Sequence, residues 1–108
     1  MSFVALFVVV AAPVYLTCNL NPAKPFPVQI AADEANGRAT VTFPSNGRSV
    51  IRRAVFDEKT VTILDNSAVW KIDRVTLEVR RRFDAAPASE PDETGGCEVA
   101  KPPENRAF

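Results

Sequence analysis

From Val14 onward apolar and polar residues alternate with a period of two, and apolar residues at helical spacing are almost absent. Leu16, Cys18 and Leu20 fall on one face against Tyr15, Thr17 and Asn19. After "NPAKP", Phe26, Val28 and Ile30 share a face, and Pro27, which has no N–H to donate, sets this strand to start late or lie at an edge. "RATVTFP" places Ala39, Val41 and Phe43 against Arg38, Thr40 and Thr42. It is bracketed by Asn36-Gly37 and Asn46-Gly47, pairs that tolerate the positive φ angles of tight hairpin turns. The pattern is that of a meander.

"SVIRRAVF" (49–56) is apolar at both parities, so alternation does not assign its inward face. "DEK" (57–59) turns into "TVTIL", where Val61 and Ile63 share a face, and "DNS" (65–67) turns into the longest strand-like stretch, "AVWKIDRVTLEVRRRF". There the apolar parity switches from even (Trp70, Ile72) to odd (Val75, Leu77, Val79, Phe83). A strand cannot change faces without an irregularity, which predicts a bulge or tight turn around Asp73-Arg74. Residues 84–96, "DAAPASEPDETGG", hold no aliphatic side chain larger than Ala and read as a flexible acidic loop. Cys97 and Val99 open a short last strand. The chain is therefore expected to be all-β, a small antiparallel meander of seven to eight strands curled into a barrel or flattened sandwich. Its body is residues 13–83, rejoined by 97–108.

The first sixteen residues, "MSFVALFVVVAAPVYL", carry no charge. The apolar run from Phe3 to Ala12 has the length of a signal-peptide core and is shorter than the roughly 20 residues a membrane-spanning helix needs. Val9-Val10-Ala11 supply the small residues of a cleavage site, so a leader lies within residues 1–12, with Ala12 as the new N-terminus. No Lys or Arg precedes the run. Two other readings therefore stay open, a chain start downstream of the true one and a buried first strand. The leader reading predicts a periplasmic or secreted chain without a membrane span once mature.

Compartment decides what Cys18 and Cys97, the two cysteines of the chain, can do. Tyr15-Leu16-Thr17 does not suit lipid attachment at Cys18, and the wide spacing does not resemble a CxxC redox pair or a zinc knuckle. In an oxidising compartment the two form one end-to-end disulfide. Such a bond stabilises the fold by about 4 kcal/mol in the chain-entropy account. In the cytoplasm they are two buried free thiols.

Lys+Arg and Asp+Glu both total 13, so the net charge is zero and gives no general attraction to nucleic acid. Histidine is absent, which removes His-based triads, His-bearing zinc sites and histidine general bases. Neither a glycine-rich phosphate cradle nor a nucleophile elbow occurs, and no cofactor or metal site is expected. Asp33-Glu34 lack the oxygen-rich spacing of a calcium loop. The expected class is a non-catalytic binding or structural accessory of the periplasm, a monomer for which an extracytoplasmic protein is the candidate partner.

The candidate binding residues are Arg52, Arg53, Arg80, Arg82 and Trp70. Alternation sends Arg80 and Arg82 to solvent and Arg81 inward at a strand end. With Arg52 and Arg53 on a neighbouring strand, the group forms a cationic patch for an anionic surface or a carboxylate partner. The competing reading pairs the arginines with acids across strands, the obvious counter-charges being Asp84, Glu90, Asp92 and Glu93. It also makes Trp70 a core residue, and Asp73 and Arg74 servants of their turn by a local hydrogen bond or ion pair.

"YLTC" near the start, "WKIDRVT" in the long stretch and "CEVAKPPENRAF" at the end resemble a group of small exported proteobacterial proteins of no assigned activity. That group has a cysteine on the first strand, an IDR-x-T turn and a cysteine-led last strand. The resemblance implies export and a β-rich fold, with Gly expected where this chain has Leu77. "YLTC" and the late cysteine are also similar to the outline of periplasmic inhibitors of C-type lysozyme. The Ser-Gly and Tyr loop with which those inhibitors enter the lysozyme cleft has no counterpart here.

Overall fold

The computed structural model describes residues 12–21 and 24–101. Eight strands follow one another: β1 (Val14–Asn19), β2 (Pro27–Asp33), β3 (Arg38–Phe43), β4 (Arg48–Phe56), β5 (Thr60–Leu64), β6 (Ala68–Asp73), β7 (Glu78–Phe83) and β8 (Glu93–Ala100). Each pairs antiparallel with the next and β1 pairs with β8, closing an up-and-down barrel. The fold is all-β, as the alternation predicts. The leader region lies almost wholly outside the described residues, as does the chain after Lys101.

An eight-stranded barrel has an interior just wide enough for side chains to fill. Leu16, Cys18, Val28, Ile30, Val41, Ile63, Trp70, Ile72 and Val79 fill it, each essentially shut from solvent. Each fully buried large aliphatic residue contributes about 1.5–3 kcal/mol. Pro27 is the first residue of β2, opposite Asn19, where no ladder donor is required of it.

Four details depart from or sharpen the pattern. In β4 the even residues turn inward: Ala54 is buried and Val50 and Phe56 pack on the core, while Ile51 and Val55 face solvent. Pairing decides this, since Ala39 and Val41 of β3 stand opposite Arg52 and Val50. The two Asn-Gly pairs end four-residue loops, 34–37 and 44–47, in place of two-residue turns. Only the glycines take positive φ there, 61° at Gly37 and 70° at Gly47. The parity switch is a tight turn between β6 and β7, and Leu77 leaves it with φ of 63°, a left-handed conformation that L-residues rarely adopt.

The expected acidic loop of 84–96 is shorter than the composition implies. β8 begins at Glu93, with Arg81, Arg80, Val79 and Glu78 of β7 opposite Glu93, Thr94, Gly95 and Gly96. Gly95 is required in this strand because the backbone at the end of β1, at Asn19 and Leu20, lies close against it. A Cβ on Gly95 would overlap the carbonyl of Asn19.

Candidate binding surface

The seam between β1 and β8 carries the disulfide. Cys18 and Cys97 stand directly opposite each other, bonded, with a sequence separation of 79. Both are shielded, Cys97 at 8% exposure, and a disulfide of this kind fits an oxidising compartment.

The two arginine pairs are not on neighbouring strands. Arg52 and Arg53 lie on β4 and Arg80 and Arg82 on β7, with β5 and β6 between. The up-and-down order makes sequence neighbours space neighbours, so strands three apart in sequence stay three apart around the wall. Register nevertheless puts Arg53 and Arg82 on one transverse row. Arg38, Arg53, Leu64, Val69 and Arg82 are successive cross-strand partners from β3 to β7.

Most of the arginines have work within the molecule. Arg52, of inward parity, donates through Nε to Asp65 Oδ1 at 2.6 Å. Burial disfavours the Asp65 carboxylate, but the Arg52 hydrogen bond, the Asn66 backbone N–H and the Arg52 charge together hold its pKa below the ordinary value. Arg80 donates to Glu78 Oε1 at 2.8 Å on the outer face. Arg82 clamps the 84–92 loop, reaching Asp92 Oδ1 at 2.8 Å and the carbonyls of Glu90 and Pro87 at 3.1 Å. The acidic segment does supply counter-charge, through Asp92 and Glu93.

Arg81 closes the barrel end where β7 leaves. Its side chain is 13% exposed, and its guanidinium is held by Glu93 at 2.8 Å and lies 4.7 Å from the Phe83 ring centroid, 5.0 Å from that of Trp70 and 5.6 Å from that of Phe26. Phe43 packs between Phe26 and Trp70. Trp70 is thus an interior residue at 0% exposure and stands apart from the surface arginines. Its indole N–H is buried without a hydrogen-bond acceptor, approaching but not bonding the Asp65 carboxylate. Sequence reading does not reveal this plug, because its rings come from β3, β6, β7 and the β1–β2 connection.

At the opposite end, Arg74 reaches across strands as well as serving its turn. It donates to Glu34 Oε1 at 2.9 Å and to the Asp57 carbonyl at 2.6 Å. Asp73 Oδ1 accepts from the backbone N–H groups of Val75 and Thr76 at 2.8 and 2.9 Å, the local bonding its turn calls for. With Glu34 committed to Arg74 and Asp33 to Asn36 and Arg38, neither adjacent carboxylate stands free for a cation.

The outer face of β3–β5 is different in kind. The Arg53 side chain makes no hydrogen bond or ion pair among the described residues, and that of Arg38, directly opposite, has only Asp33, 3.6 Å from its Nε. Around this arginine pair lie Ile51, Val55 and Leu64, exposed by 61%, 49% and 40%. Exposed aliphatics grouped round an unpaired cation form a surface able to bind. Alternation does not isolate it, because the apolar residues at both parities of β4 hide which of them face out. No protein-family model matches the chain, and no curated protein or solved structure proves similar to it.

Proposed function

We propose that the chain is an exported, monomeric β-barrel of the periplasm that acts by binding an extracytoplasmic protein, without catalysis. The observation that carries this reading is the Cys18–Cys97 bond, which ties the first strand to the last in a closed barrel and suits an oxidising compartment. The leader-like start and the lack of histidine support it from the sequence. So does the bare outer face of β3–β5. The test is production of the full chain in a Gram-negative host, followed by fractionation and chemical cross-linking in intact cells. Recovery from the periplasmic fraction in one discrete heavier adduct fits the reading; recovery from the cytoplasm without an adduct contradicts it.

A second reading is an inhibitor of lysozyme-like hydrolases, favoured by the Tyr-x-x-Cys start on β1 and its bond to the last strand. A lysozyme turnover assay decides it, and undiminished turnover at micromolar excess of the protein excludes it.

A further inference from the structure

We infer that the outer face of β4–β5, centred on Arg53, docks an acidic protein segment that presents a carboxylate between aliphatic side chains. This rests on the reading of the chain as a binding protein and names the surface and the partner's chemistry.

The register builds the surface. Ile51, Arg53 and Val55 point outward along β4, and Arg53 stands between Arg38 on β3 and Leu64 on β5. Like charges directly opposite one another across two strands are destabilising. Here one carboxylate, Asp33, is near the pair, and it also accepts from the Asn36 side chain at 2.8 Å. A carboxylate brought by a partner would accept from Arg53, whose planar fork suits bidentate pairing, and would relieve the repulsion. Ile51, Val55 and Leu64 would exclude water around that contact.

Three other occupants fit less well. A second copy docked face to face would place arginines against arginines. An anionic membrane gains only about 1 kcal/mol per surface cation, and this face lacks the Trp, Phe and Lys of interfacial anchors. Nucleic acid needs a basic groove or rings on which bases stack, and the residues grouped round Arg53 on this face, Arg38, Ile51, Val55 and Leu64, supply no ring.

The test is a titration of the isotopically labelled full chain with an end-blocked Leu-Thr-Glu-Thr-Leu peptide, whose Leu, Glu and Leu share one face when extended. Its Gln counterpart and vesicles of phosphatidylglycerol and phosphatidylcholine are titrated alongside. The glutamate peptide is expected to shift the amide signals of β4 and β5, and Arg53→Gln to weaken its binding by about tenfold or more, the worth of a hydrogen bond to a charged group. The Arg53 side chain has no hydrogen-bond or ion-pair partner among the described residues, so this variant keeps the fold, which its unperturbed remaining spectrum verifies. Equal binding by Arg53→Gln, equal binding of the Gln peptide, shifts confined to another face, preference for the vesicles, or no binding at all overturns the inference. If the peptide fails while the periplasmic adduct persists, this surface is wrong and the binding reading stands. If the adduct is absent too, the reading itself falls.

Discussion

Cys18 on β1 and Cys97 on β8 have Cα atoms 3.9 Å apart, so one covalent bond spans the seam that turns an eight-stranded sheet into a closed barrel. All the other strand pairs join sequence neighbours, and this is the one whose closure spans nearly the whole chain. The entropy of closing so long a loop is the largest of any pair. Replacing both cysteines with alanine is expected to lower stability by about 4 kcal/mol, read as a fall in the urea midpoint. A midpoint unchanged from that of the oxidised protein would show that the ladder alone holds the seam.

Gly95 and Gly96 are adjacent and chemically identical, yet their surroundings are opposite. A Cβ at Gly95 meets the backbone of Asn19 and Leu20, whereas one at Gly96 meets nothing within 4 Å. Backbone cannot step aside as a flexible side chain can. Gly95→Ala is therefore expected to cost about 3 kcal/mol or more and Gly96→Ala less than about 0.5 kcal/mol, by thermal or urea unfolding. Equal effects would contradict the close approach of the Asn19–Leu20 backbone to Gly95.

Leu77 is the one non-glycine residue of positive φ among the described residues. Its backbone cost, about 1–2 kcal/mol, opposes the packing of its half-buried side chain on the core. The two nearly cancel, so Leu77→Gly is expected to change stability by less than about 1 kcal/mol. Val79→Gly, two residues on in a fully buried site, should cost about 3 kcal/mol or more. A loss at Leu77 as large as that at Val79 would mean the turn is not strained.

Asp57 and Asp73 hold their carboxyl groups below the ordinary value of 3.8. The backbone N–H groups of Lys59 and Thr60 donate to the first, and those of Thr76 and Val75 to the second. The folded-state pKa is the lower one, so the stability from these groups is fully present above the unfolded-state value and is lost as the pH falls through the folded-state values. Urea midpoints should stay level down to about pH 5 and drop below about pH 4. Asp73→Asn, which still offers an amide oxygen, should flatten the drop. Parallel curves for the two proteins would exclude turn capping as a source of acid lability.

Much of this architecture is legible in the sequence because a narrow barrel imposes strict alternation on every strand. Leu16, Cys18 and Leu20, or Val61 and Ile63, can be sorted by parity alone. The turn at Asp73 is legible for the same reason, as the place where parity breaks. β4 is not, since its outward Ile51 and Val55 are apolar and its inward Arg52 is charged. Their roles depend on residues outside β4, Asp65 of the β5–β6 connection for Arg52 and Arg38 of β3 for Arg53. Nor does pattern reveal the plug around Arg81, built from rings far apart in sequence, or the start of β8 within a glycine-containing acidic stretch. Pairing and register, which local composition does not encode, settle these.

The most direct test of the central claim, an exported barrel closed by a disulfide, is the intact mass of the protein recovered from cells, with thiol alkylation before and after reduction. The account predicts a chain beginning at Ala12 whose Cys18 and Cys97 are alkylated only after reduction. A full-length chain with both thiols alkylated without reduction would contradict it.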